Sequence, residues 1–256
     1  MFKFLRRNPP APEPAPVPHF VRAYRKLAKA LIERHGTKEA MSVGVGGNFS
    51  GHGEIQAALL RHLGLRAGHL FVDVGCGSGR LASAVGKMEG IRYIGSDVVP
   101  EYLEYAKSLT PPEFEFHLVE GLSIPAPDGV ADFVTFFSVM THLHHHESFI
   151  YLREAARVLK PGGLAIVSFL EVLNPTLEWH LDDTVTNYEQ GGLGHLNAFI
   201  EEPVMRLWAK KVGLKTLEVF HAGTNFVPLT SPIHFDDGQV FTDRVDVGQS
   251  VAVLQR

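Results

Sequence analysis

Three glycines and one aspartate in the first half of the chain have the spacing of a ligand-binding turn. Residues 71–80, FVDVGCGSGR, follow an apolar run and precede a helical pattern, and they place Gly75, Gly77 and Gly79 at alternate positions. Glycine lets a chain turn sharply and lets a ligand approach its backbone closely. The next apolar run ends at Asp97, where a carboxylate could accept hydrogen bonds from both hydroxyls of a ribose. Together these features indicate a nucleoside-containing ligand.

The glycines and the aspartate do not fix the rest of that ligand. The dinucleotide fingerprint G-x-G-x-x-G requires a third glycine where this chain has Arg80. A pyrophosphate and a sulfonium therefore both stay open on these residues alone. In either case, a doubly wound sheet binds its ligand beyond the carboxyl ends of the strands, where the strand order reverses.

A second polar segment, SVMTHLHHHES at residues 138–148, contains four histidines, of which the first is His142. A histidine side chain titrates near neutral pH and is suited to take a proton from a hydroxyl group. His144, His145 and His146 are consecutive, so their side chains point in different directions and are not expected to share one ion. We therefore expect no metal site here.

Strands and helices alternate from residue 70 onward, which predicts the elements that position these residues. The pattern indicates an α/β fold with a doubly wound, mostly parallel seven-stranded sheet, Rossmann-like, and helices on both faces. The first and fourth strands are almost wholly apolar, as expected of strands buried on both faces. The predicted strands are 70–74, 92–96, 114–119, 132–137, 164–170, 215–221 and 249–255, and the predicted helices between them are 79–88, 100–108, 147–159 and 199–212.

The first 64 residues predict an extension with helices before the sheet begins. Residues 1–18 are read as a Pro-rich tail that cannot pack a core. An apolar stripe predicts a helix over 19–35, and a second short helix is expected over 54–63. Residues 44–53 are rich in glycine and are predicted to form a loop between the two.

Residues 171–197 lack a clear period and are predicted to form a substrate lid, because long insertions in compact domains are often binding loops. His195 and Asn197 end this lid and are expected to reach the substrate. Its aromatic side chains either line a pocket or anchor the lid to the core. These are Trp179, His180 and Tyr188. Further along, Asp237-Gly238 predicts a hairpin before the last strand.

Taken in order, these motifs resemble those of the class I methyltransferases that use S-adenosylmethionine (SAM). The similarity rests on D-x-G-x-G-x-G from Asp73, on the acid that ends the second strand, and on EAARVLKPGGLAIVSF at 154–169. It runs from about Gly46 to Arg256 and implies SAM as the cofactor. With the N-terminal helices over 19–64, we expect one methyltransferase domain over 19–256. The implied cofactor-binding residues are Asp73, Gly75, Gly77 and Gly79 in the turn, Asp97 at the ribose, Val98, Glu120 and Leu122 at the adenine, and Ser138 near the sulfonium.

The resemblance also implies a catalytic role for His142, which stands where many small-molecule O-methyltransferases carry a histidine. Some of those enzymes pair it with an aspartate at the end of the fifth strand; here that position is Ser168, and Glu171 could substitute. The alternative is a histidine that packs over the cofactor or binds backbone. Phe49 and His52 are expected to cover the cofactor from the other side.

Composition and charge exclude several classes of protein. The 256 residues carry a net charge of -4, whereas nucleic-acid binders are usually strongly basic, so no nucleic-acid partner is expected. No apolar run approaches the roughly 20 residues of a membrane span. Cys76 is the only cysteine, which rules out an internal disulfide, and it is read as a small filler in the turn. We expect a cytoplasmic protein.

The leading hypothesis is an enzyme that transfers a methyl group from SAM to a small-molecule acceptor through a hydroxyl. A sugar, a glycan or a secondary metabolite would be such an acceptor. The alternatives are a protein or nucleic-acid methyltransferase, a non-catalytic SAM-binding protein and, as a third option, a dehydrogenase. The acceptor and the oligomeric state are not readable from the sequence.

Overall fold

The computed structural model describes residues 17–189 and 196–256. Nearly all of the predicted Pro-rich tail lies outside the described residues, and so does His195 of the predicted lid. None of the helices in the described ranges is long and apolar enough to cross a bilayer.

A seven-stranded sheet in the order β3-β2-β1-β4-β5-β11-β6 forms the centre of the molecule. Its first five strands are parallel, and β11 runs antiparallel to both β5 and β6. The strand order reverses between β1 and β4, which is where such sheets bind ligands. The predicted doubly wound sheet is confirmed. The strands are β1 (Leu70–Val74), β2 (Arg92–Asp97), β3 (Glu115–Leu118), β4 (Ala131–Phe136), β5 (Leu159–Phe169), β6 (Lys215–Phe220), β7 (Val227–Pro228), β8 (Ile233–His234), β9 (Val240–Phe241), β10 (Arg244–Val245) and β11 (Ser250–Gln255).

Eight described helices cover the sheet and its carboxyl edge. They are α1 (His19–His35), α2 (Thr37–Val43), α3 (Phe49–His62), α4 (Arg80–Val85), α5 (Pro100–Leu109), α6 (His145–Val158), α7 (Trp179–Glu189) and α8 (Glu202–Lys211), and a 3₁₀ turn spans Met140–His142. The bounds of α1 agree with those read from the sequence, because its apolar stripe stops at Gly36, which adopts a φ of 76°. The predicted hairpin is the antiparallel pair of β8 and β9.

The side chains of the sheet divide between two apolar clusters, one on each face. Neighbouring residues of β1 illustrate the division: Val72 joins the cluster that contains α6, and Phe71 joins the cluster that contains α3 and α4. Every residue of β1 is buried. The faces are therefore filled by core side chains, and a ligand has access to the sheet only at the ends of its strands.

Two segments differ from the sequence prediction. The loop predicted over 44–53 is shorter, because α3 begins at Phe49 and includes Gly51 and Gly53. These glycines permit close packing: a Cβ at Gly53 would lie 2.3 Å from the carbonyl oxygen of Arg80, and one at Gly51 would lie 2.3 Å from the ring of Phe235. The predicted lid is not wholly irregular either, since it contains α7.

Gly53→Ala is predicted to destabilise the fold although alanine favours helices. Alanine in place of glycine inside a helix ordinarily adds about 1 kcal/mol of stability. Here the new methyl group would force α3 away from the first turn of α4, and overpacking of this kind costs about 1–3 kcal/mol. Urea denaturation measures the difference. Gly121→Ala is the control, since a Cβ at that position would have no atom of the described residues within 4 Å. A Gly53→Ala protein as stable as the wild type would contradict the packing.

Candidate active site

The turn that leaves β1 is bound to the end of β2 by three backbone N–H groups. Gly75 and Cys76 donate to the carbonyl oxygen of Ser96 at 2.7 and 3.0 Å, and Gly77 donates to Oδ2 of Asp97 at 2.9 Å. The other oxygen, Oδ1, accepts a bond from the N–H of Val99 at 2.9 Å. The glycine turn and the acid, which the sequence presents separately, thus form one rigid unit.

The backbone of this turn explains its glycines. The φ angles of Gly75, Gly77 and Gly79 are 67°, 56° and 87°, in the left-handed region that favours glycine. A Cβ at Gly77 would also lie 2.7 Å from Cγ1 of Val45, and one at Gly79 would lie 2.6 Å from Cβ of Ala106. The first contact would close the space above the turn, and the second would separate the turn from α5.

Asp73 lies beneath the turn, buried in the sheet. Its carboxylate accepts hydrogen bonds from the hydroxyls of Tyr93 at 2.9 Å and Thr135 at 2.7 Å. Burial nevertheless raises the pKa of Asp73 from its ordinary 3.8 to about 6, because removal from water disfavours the charged form. The two hydroxyls lower that pKa and keep the carboxylate in one orientation.

A cavity of about 550 Å³ opens above this unit, at the carboxyl edge of the sheet. Its wall includes seven of the residues that the sequence predicts for the site. These are Asp73, Gly75, Gly77, Asp97, Val98, Ser138 and His142. Residues from the glycine turn, from the ends of β2 and β4, and from the predicted catalytic segment therefore surround one space.

The other three predicted residues lie away from the cavity wall. Gly79 packs on α5, and Leu122 packs on the core. The side chain of Glu120 is 59% exposed, and Oε1 lies 2.8 Å from a guanidinium nitrogen of Arg25. Val119, just before Glu120, lines the cavity. Contact of Glu120 and Leu122 with a cofactor stays a prediction.

Unpartnered polar atoms indicate that the cavity suits a polar ligand. In the described part of the chain, the hydroxyls of Ser96, Tyr102 and Thr141 are buried without a hydrogen-bond partner. All three residues line the cavity. A buried hydroxyl without a partner is costly, so native proteins satisfy nearly all of them. A ligand with hydroxyl and amine groups would fit this wall.

The end of β4 holds a strained backbone at the cavity. Ser138 has a φ of 56°, unusual for a residue other than glycine, and such strain clusters at ligand sites. Its N–H donates to Oγ of Ser168 at 2.7 Å, and Ser168 in turn donates to Oε1 of Gln249 at 2.6 Å. Ser168, which stands where some O-methyltransferases carry an aspartate, therefore supports the strained residue.

His142 ends the 3₁₀ turn and is oriented by the chain that follows α7. Its Nδ1 lies 2.8 Å from the carbonyl oxygen of Leu196, and its ring meets the ring of Tyr24 with centroids 5.4 Å apart. Because a carbonyl only accepts hydrogen bonds, this contact requires a proton on Nδ1. Glu171, which could substitute as the partner of His142, has its carboxylate bound by the hydroxyl of Ser250 and by Nδ1 of His221, so a role beside His142 stays a prediction.

Residues from α1 and α7 complete the wall, and the sequence did not indicate this role for α1. The apolar stripe of α1 was visible, but its position over the site was not. The lining residues from α1 are Phe20, Tyr24, Leu27 and Leu31, and those from α7 are Trp179, His180 and Asp183. Asn197 lines the cavity as well and donates to Oγ1 of Thr184 at 2.8 Å. Tyr188, also predicted for the lid, is 86% exposed.

The loop after α2 closes the other side. Residues 44–46 of this loop line the cavity, as does Val43 at the end of α2. Phe49 instead packs on Tyr105, and His52 packs on Phe235. Arg80 also lines the wall and donates to the carbonyl oxygen of Val45 at 2.6 Å. Burial lowers the pKa of Arg80 to about 10. The arginine that breaks the dinucleotide fingerprint thus fixes the loop over the turn.

Comparison with known proteins agrees with this geometry. Residues 72–167 match the family model described as "Methyltransferase domain". A methyltransferase chain solved in complex with the Trm112 methyltransferase activator of Haloferax volcanii superimposes with a TM-score of 0.58 at 19% identity, covering 93% of this chain and 97% of that one. The topology, the turn and the family match identify a class I SAM-dependent methyltransferase domain.

Two curated relatives resemble the same region in sequence. The 2-methyl-6-phytyl-1,4-hydroquinone methyltransferase of Synechocystis is 32% identical over 106 residues, which is 41% of this chain and 33% of that protein. The 27-O-demethylrifamycin SV methyltransferase of Amycolatopsis mediterranei is 32% identical over 120 residues, 44% of this chain and 43% of that protein. The aligned part therefore spans less than half the length of these relatives.

The burial of Asp73 predicts a dependence of stability on pH. Its folded pKa of about 6 lies above the ordinary 3.8. The stability that this group contributes is therefore present in full below about pH 4 and is lost as the pH rises through about 6. One pKa unit corresponds to about 1.4 kcal/mol, so the loss is about 3 kcal/mol.

Asp73→Asn removes this titration, and urea denaturation from acid to neutral pH measures its effect. Relative to the variant, the wild type should lose about 3 kcal/mol of unfolding free energy between about pH 4 and pH 7. Asp132→Asn is the matched control, because the pKa of Asp132 is shifted in the opposite direction. Burial acts to raise this pKa, but hydrogen bonds from Lys160 and Leu70 outweigh burial and lower it. A difference between wild type and Asp73→Asn that does not vary with pH would contradict the burial of a charged group.

Proposed function

We propose that the protein transfers a methyl group from SAM to a hydroxyl of a small-molecule acceptor. The observation that carries the proposal is the unit of Gly77 and Asp97, which presents a glycine turn and a carboxylate to one cavity. In the proposed complex the turn receives the amino-acid part of SAM and Asp97 binds the ribose hydroxyls. Val98 packs on the adenine. The unpartnered hydroxyls of Ser96 and Tyr102 supply further polar contacts.

The chemistry divides between the cofactor and the chain. SAM, when bound, supplies a methyl group that is already activated on a sulfonium. The chain holds the acceptor in line with it, and alignment of this kind can be worth effective molarities on the order of 10⁵–10⁸ M. Nε2 of His142 takes the proton of the acceptor hydroxyl, while the bond from Nδ1 to Leu196 keeps the ring in place. Base catalysis typically adds about 10²–10⁴-fold.

The apolar residues of the cavity wall favour an acceptor that is an apolar molecule carrying a hydroxyl. The lining residues from α1 are all apolar or aromatic, and Leu143 and Leu170 line the cavity as well. The names of the two curated relatives specify a hydroquinone and a demethylated oxygen of a rifamycin. Both names specify molecules that carry a hydroxyl group, although the first does not name the methylated atom, and this supports a hydroxyl-bearing acceptor for this chain.

Asp97→Asn is predicted to weaken SAM binding at least tenfold. Both carboxylate oxygens already accept backbone N–H groups, so an amide NH₂ would oppose either Gly77 or Val99. The variant also loses hydrogen bonds to a charged group, each worth roughly 1.5–3 kcal/mol. Isothermal titration with SAM measures the affinity. Asp128→Asn is the control, because Asp128 is exposed and pairs with Arg157. Unchanged affinity in Asp97→Asn would place the ribose elsewhere.

The reaction itself is tested with labelled SAM and a panel of acceptors. Hydroquinones and hydroxylated macrocycles should accept label, and amines, proteins and nucleic acids should not. Transfer only to the second group would refute the oxygen assignment and favour a protein or nucleic-acid methyltransferase. SAM binding without transfer to any acceptor would favour a non-catalytic SAM-binding protein.

His142→Ala should slow the turnover of the best hydroxyl acceptor by about 10²–10⁴-fold and leave SAM affinity unchanged. The reason is that the variant loses the base but keeps the turn that binds the cofactor. His145→Ala is the control, since its Nε2 contacts the carbonyl oxygen of Phe199 at an exposed position. A wild-type rate in His142→Ala would leave the residue only a packing role.

A further inference from the structure

Two histidines and a glutamate from distant parts of the sequence meet beside the cavity. The donor atoms of His19, His144 and Glu147 all lie within 4.8 Å of one another. Nε2 of His19 lies 3.0 Å from Oε2 of Glu147. The rings of His19 and His144 have centroids 4.3 Å apart and planes inclined by 43°, so they converge on the carboxylate without stacking face to face.

This donor set suits a zinc ion. Zinc takes imidazole nitrogens at about 2.0–2.1 Å and carboxylate oxygens at about 2.0–2.2 Å, and two histidines with one glutamate are an established combination. Tetrahedral bonds of this length put the donor atoms about 3.4 Å apart. The 3.0 Å between His19 and Glu147 is slightly below this value, and the other donor pairs, within 4.8 Å, have to close by at most about 1.4 Å. A water molecule can take the fourth position.

The carboxylate is already held in place for such a role. The side chain of Glu147 is 7% exposed, and its Oε2 accepts the N–H of His144 at 2.7 Å. Carboxylates that ligate metals are typically fixed by hydrogen bonds of this kind. His144 directly precedes α6, Glu147 lies in its first turn, and His19 begins α1. Two ligands thus come from the start of α6, and the third comes from α1, which lines the cavity.

We propose that His19, His144 and Glu147 bind Zn²⁺, and that the ion fastens α1 to α6. Phe20 follows the ligand His19 in the chain and Leu143 precedes the ligand His144, and both line the cavity. The ion would therefore hold this part of the cavity wall in place. The three ligands are not part of the cavity wall, so the ion lies beside the cavity. The three consecutive histidines did not indicate this site, since only His144 contributes and its partners lie elsewhere. The proposal does not depend on methyl transfer.

Titration of the full chain, without a polyhistidine tag, with ZnCl₂ tests the site. One Zn²⁺ should bind per chain, and His19→Ala, His144→Ala and Glu147→Gln should each weaken binding at least tenfold. His35→Ala is the matched control, because His35 is also a histidine of α1 that lies near a glutamate, Glu39, but at the other end of the helix. Co²⁺ in place of Zn²⁺ should give the visible absorption of a tetrahedral ion in the wild type and in His35→Ala.

Thermal unfolding supplies a second measurement. Zn²⁺ should raise the melting temperature of the wild type by mass action and leave that of His19→Ala unchanged, because the ion binds only the folded site. Each variant is first shown to melt cooperatively without metal. Equal zinc affinity in the wild type and all three ligand variants, or no saturable binding in the wild type, would overturn the proposal and leave an ordinary ion pair between His19 and Glu147.

Discussion

The hydrogen bonds between the turn after β1 and the end of β2 are the constraint on which the rest of the site depends. The N–H groups of Gly75, Cys76 and Gly77 all bind the last two residues of β2. They place a left-handed glycine backbone beside the partly buried carboxylate of Asp97, whose pKa is raised by its removal from water. The space above the turn also depends on the absence of a side chain at Gly77, because a Cβ there would meet Val45 of the cavity wall.

The helices α1 and α2 and the loop after α2, which cover the cavity, are attached to the turn and to the end of β2. The hydroxyl of Ser78 donates to the carbonyl oxygen of Met41 at 2.6 Å, and Arg80 donates to Val45, so the turn holds α2 and the loop behind it. Arg25 of α1 donates to the carbonyl oxygen of Val98 at 2.7 Å, next to the acid. The helices α1 and α2 and the loop after α2 therefore each contact the turn or the residues at the end of β2, and a shift in either would disturb this side of the site.

The sequence predicted the sheet well because buried parallel strands and glycine turns leave strong local signals. It was less successful where the reason for a residue lies in a distant neighbour. Gly53 resembles a loop residue until the carbonyl oxygen of Arg80 is seen beside it, and nothing in the sequence indicated the ion pair between Glu120 and Arg25. The meeting of His19 with Glu147 likewise joins residues 128 positions apart. No local pattern encodes such a contact.

The central claim is that the unit of turn and acid accepts the nucleoside of SAM rather than a dinucleotide. Equilibrium titration of the wild-type protein with SAM and, separately, with NAD tests it most directly. The account predicts saturable binding of SAM and none of NAD, since Arg80 and the loop that it holds occupy the place where a dinucleotide turn has its third glycine. Binding of NAD without binding of SAM would contradict the account.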